Sequence, residues 1–189
     1  MSLRGRSYLS DETFSFITTT IVNHYPIFND EMFCDILLNN IKHYQEKYKF
    51  EILGYVIMPS HLHWIVNVNP IKATISDIMR DIKKYSAKQM IELLYKMKRN
   101  KVLALFKHKA QNFLRQNHKI WEQRFFDEII RNDKMFWAKL KYIHNNPVEA
   151  NLVKRVEDYK YSSARNYLKN DHSIIFVNTE YAGVEFKCF

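Results

Sequence analysis

Glycine and proline are scarce in this chain, at three and four of 189 residues, so there is little from which to build a flexible linker. No internal repeat or low-complexity tract is visible. Cysteine is scarcer still: Cys34 and Cys188 fall in no spaced motif, which excludes a disulfide framework and a thiolate metal site and points to a reducing compartment. No run approaches the roughly 20 apolar residues of a membrane span, and the opening "MSLRGRSYLS" lacks the apolar core of a signal peptide. A Walker-type glycine loop is also missing. These absences predict one cytoplasmic domain over 1–189, or one domain with elaborated ends. A chain of this size buries about 70% of its unfolded surface and needs no staples.

Positive charge is what the chain has in excess. Lys and Arg number 29 against 20 Asp and Glu, a net +9. Between Lys83 and Lys119 there are eleven basic residues and a single acid, Glu92. Such a block fits a polyanion partner, and in cytoplasm the commonest polyanion is nucleic acid, which would make the protein nucleoid-associated. A solvated helix face is the other reading. Lys83, Lys84, Lys88, Lys96, Lys98 and Arg99 are the candidate phosphate contacts, able to position a strand without reading its bases.

The apolar pattern gives an element order. "ETFSFITTTIV" (12–22) is β-branched and aromatic, a first strand. Asn29 or Asp30 can cap a helix whose apolar residues at Phe33, Ile36, Leu37, Ile41, Tyr44 and Tyr48 follow a helical period. "FEILGYVI" (50–57) and "WIVNVN" (64–69) are strand-like, and Pro59 and Ser60 between them break the ladder, so a β-hairpin is predicted. Thr74 or Ser76 starts a second helix, and a basic segment runs on to about Lys119. "WEQRFFDEIIRN" (121–132) reads as a fourth strand. Asn132 or Asp133 caps a third helix, which should stop near Pro147. The order β-α-β-β-α-β-α is that of an α+β, ferredoxin-like (RRM-like) antiparallel sheet with helices mainly on one face.

Two histidines open the second strand of the hairpin, in "MPSHLHWIV" (58–66). Strand side chains alternate, so His61 and His63 share one face and Leu62, Trp64 and Val66 the other. Paired imidazoles on a sheet can form half of a metal site. In the third helix Phe136, Leu140 and Ile143 make the core stripe. At about 100° per residue Tyr142 lies off that stripe, with Asn146 beside it one turn on.

"GYVIMPSHLHWIV", together with "WEQRFFDEIIRNDKMFWAKLKYIHNNPVEANLV" and "DYKYSSARNYL", resembles the His-hydrophobe-His (HUH) transposases that act on single-stranded DNA through one tyrosine. Within them it resembles the branch called REP-associated tyrosine transposases. The likeness runs from about Thr13 to Leu168, which implies a domain core over about 13–168 with a C-terminal extension over 169–189, and the two blocks together are far more specific than the histidine motif alone. It implies an HUH-endonuclease type of fold, with His61 and His63 holding a divalent metal, Asn146 completing that site and Tyr142 as nucleophile. Single-stranded or hairpin DNA is the implied substrate and no nucleotide cofactor is called for; the REP-associated branch implies a monomer, against the homodimer of related transposases with shared active sites.

The residue types suit that chemistry. A cation on the histidines can polarise a phosphate oxygen and neutralise charge in the transition state. Oxygen-preferring Mg²⁺ and imidazole-tolerant Mn²⁺ both fit. Tyr142 attacking phosphorus would give a 5′-phosphotyrosine and a free 3′ hydroxyl, conserving the ester for joining. Tyr85, in "DIKKYSAKQ", is a rival nucleophile better explained by packing or DNA contact. His144 should face solvent or DNA, and Trp64 and Trp121 should be core aromatics. Two other readings stand beside this one. One is a non-catalytic RRM-like module stacking bases on Trp64 and Tyr55; the other is a catalytically retired transposase that only binds DNA.

Overall fold

The computed structural model describes residues 14–111 and 117–180. Cys188 and part of the basic block, Arg115 included, lie outside these residues. Among the described residues four strands form one antiparallel sheet in the order β2-β3-β1-β4. They are β1 (Phe14–Thr20), β2 (Glu51–Met58), β3 (His61–Asn67) and β4 (Phe126–Ile129). The helices are α1 (Glu31–Tyr48), α2 (Ile75–Lys96), α3 (Asn100–Ala110), α4 (Asp133–Glu149) and the short α5 (Ala164–Lys169).

Local chemistry sets the helix starts. The Asp30 side chain accepts from Met32 N, and Asn132 accepts from Met135 N. Thr74 and Asp77 close a capping box, each side chain bonded to the other's backbone N–H, which contributes about 1 kcal/mol. Alternation along the strands then separates two cores. On one face Ile17, Leu62, Trp64 and Val66 pack under α1 and α2, against Leu37, Ile41, Ile78, Met79 and Ile82. On the other, Phe16, Leu53, Val56 and Ile65 meet Phe136, Leu140 and Ile143 of α4. A β-bulge between Ile52 and Gly54 turns Leu53 toward α4.

Three elements differ from the sequence reading. α3 was not expected; its lysines mask a buried stripe at Leu103, Phe106 and Ala110, and lysine is itself a good helix former. The fourth strand keeps only Phe126–Ile129 in the ladder, because Trp121 makes an isolated bridge to Ile21 and its Nε1 donates to Ser86 Oγ at 3.1 Å. α4 does not stop before Pro147 but runs through it to Glu149. Proline removes one N–H donor; in the last turn the loss is small, and Ala150 N to Asn146 O and Leu152 N to Pro147 O, both 2.9 Å, carry the chain on.

Residues 159–167 cover the outer edge of β2. Ile57 N donates to Tyr161 O and Ser163 N to Tyr55 O, while the Tyr159 and Tyr167 hydroxyls donate to the carbonyls of Ile57 and Leu53. An edge that could pair with another chain is thus closed from within. No helix among the described residues is long and apolar enough to cross a membrane.

Candidate active site

The β1–β3 register builds the site. Thr18 lies opposite His63 and Thr20 opposite His61. Both histidines therefore point to the α4 side, while Leu62 and Trp64 are fully buried on the other. The two imidazoles lie with ring centroids 4.7 Å apart. The Thr18 hydroxyl is 2.7 Å from His63 Nδ1 and the Ser60 hydroxyl 3.2 Å from His61 Nδ1. A ring whose Nδ1–H is given to a hydroxyl keeps the Nε2 lone pair for a ligand.

α4 delivers Tyr142 to the same place. With Phe136, Leu140 and Ile143 facing the sheet, Tyr142 projects along its margin, 44% exposed, its ring centroid 5.2 Å from that of His63. Phe16 lies beneath both rings, 6.1 Å from Tyr142 and 5.7 Å from His63. The sequence offered no sign of Phe16 or Thr18, since their place depends on strand register. The same holds for Lys139, whose Nζ pairs with Glu128 at 2.6 Å and sits over the Phe16 ring.

Burial disfavours the charged imidazolium: His63 is pulled down to about 3, with His61 and Lys139 adding repulsion, and His61 is lowered for the same first reason, with His24 beside it. Both rings are thus neutral at physiological pH, the form that binds a cation. No group of three or more His, Cys, Asp or Glu gathers among the described residues. A cation held by His61 and His63 would need oxygen donors from elsewhere. Asn146 is one turn beyond Tyr142, and its Nδ2 donates to the Tyr142 carbonyl at 2.7 Å, which leaves the amide oxygen as the available donor. The two imidazoles offer nitrogen where hard cations prefer oxygen, so they suit an imidazole-tolerant divalent ion better.

Several expectations change. His144 is not turned to solvent or DNA: its Nε2 is 2.8 Å from Ser163 Oγ, its ring packs on Tyr167, and burial pulls its pKa down to about 3. Lys83 is not a free phosphate contact. It is half-buried, with Nζ donating to the carbonyls of Glu122 and Gln123 at 2.7 and 3.1 Å, and burial lowers its pKa to about 8. Lys84, Lys88, Lys96, Lys98 and Arg99 are exposed, on or just after the helix that covers the opposite face of the sheet. Tyr85 is on that layer too, against Tyr44, and so is separated by the sheet from the histidines. Trp64 and Tyr55 are buried at 0% and 4%, so neither can stack a base, which removes the ground for the RRM-like module.

A strand pair presenting two histidines toward a helix-borne tyrosine defines a class, and the chain's sequence places it. The family model described as "Transposase IS200 like" matches residues 15–146, and the chain belongs to that family. It is similar to the putative REP-associated tyrosine transposase of Haemophilus influenzae, 27% identical over 66% of this chain and 64% of that one. The REP-associated tyrosine transposase of Escherichia coli is 29% identical over 60% of this chain and 54% of its own. The chain thus spans between half and two thirds of these relatives. A REP-associated tyrosine transposase solved bound to a REP hairpin shares the fold, with a TM-score of 0.64 and 24% identity over 99% of this chain and 96% of the other.

Proposed function

We propose that this chain is a metal-dependent single-strand DNA endonuclease and strand transferase that acts on hairpin-containing DNA through a 5′-phosphotyrosine. The contact that carries this reading is Tyr142 against His63, two residues from distant elements meeting on the α4 side of the sheet, the tyrosine exposed and the histidine buried. Tyr142 Oη attacks phosphorus and the bond to the 3′ oxygen breaks; the phenol gives up its proton and the 3′ oxygen takes one up. One phosphodiester replaces another, so joining needs no ATP, and covalent catalysis divides the exchange into two easier steps. His61 and His63 would hold Mg²⁺ or Mn²⁺, with the Asn146 amide oxygen as a further donor. A cation held there would supply polarisation of a nonbridging phosphate oxygen. The REP-bound relative supports hairpin DNA as substrate. A monomer suffices, since one chain supplies every residue.

The test is incubation with labelled hairpin DNA and Mn²⁺, followed by a denaturing gel. The unmutated protein should give a protein-linked band. Tyr142→Phe should bind the hairpin and give none, His61→Ala should lose stimulation by metal, and Tyr85→Phe should still form adduct. Full cleavage by Tyr142→Phe sinks the assignment. A protein that binds hairpins but yields no adduct with either metal is the retired transposase instead.

A further inference from the structure

Phe126 opens β4 with 57% of its surface exposed. A lone exposed phenyl is ordinary; this one stands at the end of a row. Phe126 pairs across the ladder with Thr18, and Thr18 with His63, so the three side chains leave the same face from adjacent strands, about 4.8 Å per step. Phe16 touches Phe126 at 6.4 Å between centroids, as it does Tyr142 at 6.1 Å. A run of touching rings therefore links the nucleophile to the edge of the sheet, with Phe16 buried between the exposed Tyr142 and Phe126, since β4 ends the strand order.

We propose that Phe126 is the stacking shelf for one unpaired base next to the phosphate that Tyr142 attacks; the inference rests on the function proposed above. The surroundings fit a nucleotide better than a protein partner. Gln123 and Arg124 are exposed nearby and the Lys139–Glu128 pair lies alongside, so the apolar area is a single ring, far below what a protein interface needs but matched to one base. A phenyl face offers no hydrogen bond, so it accepts any base without reading it, at about 1–3 kcal/mol per base. Bases within a duplex have both faces covered; the shelf therefore selects an unpaired strand.

The test uses the full chain and hairpin DNA with single-stranded flanks, carrying 2-aminopurine at one flanking position at a time. At a position bordering the cleavage point, the unmutated protein should quench the fluorescence by stacking. Phe126→Ala should lose that quenching, and its DNA concentration for half-maximal adduct should rise about five- to hundredfold. Phe126→Trp should restore both, and an abasic nucleotide at that position should erase the difference between the unmutated protein and Phe126→Ala. Adduct formed normally by Phe126→Ala, with quenching unchanged, overturns the shelf and leaves the nuclease reading intact. Quenching that depends on Phe126 without any adduct keeps the shelf and overturns the nuclease. A change of oligomeric state on gel filtration of Phe126→Ala, with quenching unchanged, would assign the ring to contact between copies.

Discussion

The proposed chemistry asks that His63 be neutral, oriented and close to Tyr142, and a different feature of its surroundings bears on each. Burial keeps it neutral, the Tyr142 ring touches it, and Thr18 is the polar group at Nδ1, 2.7 Å away. Groups bonded to the second nitrogen of a metal-binding imidazole typically govern affinity by ten- to hundredfold. Thr18→Val keeps the shape and the strand preference but removes the hydroxyl. It should weaken Mn²⁺ binding by about tenfold or more in calorimetric titration, with Thr18→Ser close to the unmutated protein. Equal affinity in Thr18→Val would show that the hydroxyl does not orient the ring.

At the level of elements, the seat of α4 decides where Tyr142 stands. Gly54 lets the helix approach β2: a Cβ there would lie 2.6 Å from Leu140 Cδ1, and Leu140 is only 1% exposed. Gly54→Ala should therefore cost about 1–3 kcal/mol by overpacking, seen as a fall in thermal midpoint of about 2–4 °C per kcal/mol. Adduct formation should fall with it as Tyr142 is displaced. Combining Gly54→Ala with Leu140→Val should be less harmful than the sum of the two, because they share one space; strict additivity would mean that the contact does not set the helix position. His144, bonded to Ser163, ties the far side of the same helix to the segment that covers β2. Spacing two residues past Tyr142 showed correctly that His144 points away from the nucleophile, but not that a chain segment waits there to bury it.

For the whole molecule, the sheet separates the candidate site from the α2 basic residues: the histidine and tyrosine side chains lie on one layer and Lys84, Lys88, Lys96, Lys98 and Arg99 on or just after the helix of the other. If those residues track phosphates away from the cleaved bond, replacing Lys84, Lys88, Lys96, Lys98 and Arg99 with Gln should flatten the dependence of affinity on salt by up to about 0.7 per charge removed, while the cleavage position stays the same. An unchanged slope would leave them as a solvated face. Acid should act on the fold itself. His63 and His144 are held near 3 when folded and titrate at about 6.5 when unfolded, so below 6.5 the unfolded chain binds more protons and stability falls with pH. Each can remove up to about 1.4 kcal/mol per pH unit in that window. Urea midpoints between pH 6.5 and 4.5 should show the decline, and His144→Phe should flatten it; a midpoint that does not move with pH would contradict neutral burial of these rings.

What the sequence determined by itself is what depends on neighbours along the chain. Period-two alternation put His61 and His63 on one face, the 3.6-residue period set Tyr142 off the stripe of Phe136, Leu140 and Ile143, and short polar side chains narrowed each cap to a pair of residues, of which the structure uses Asp30, Thr74 and Asn132. Motif resemblance joined these into one family. Register and packing are decided by contacts between segments far apart, which no local pattern encodes. Only the tertiary structure could set Thr18 against His63, bring Tyr142 to that ring, bond His144 to Ser163 and Lys83 to two carbonyls, and leave Phe126 exposed at the sheet's edge. The same reason applies to Pro147: its cost to a helix depends on how near the end it falls, and the packing of α4 on the sheet fixes that end.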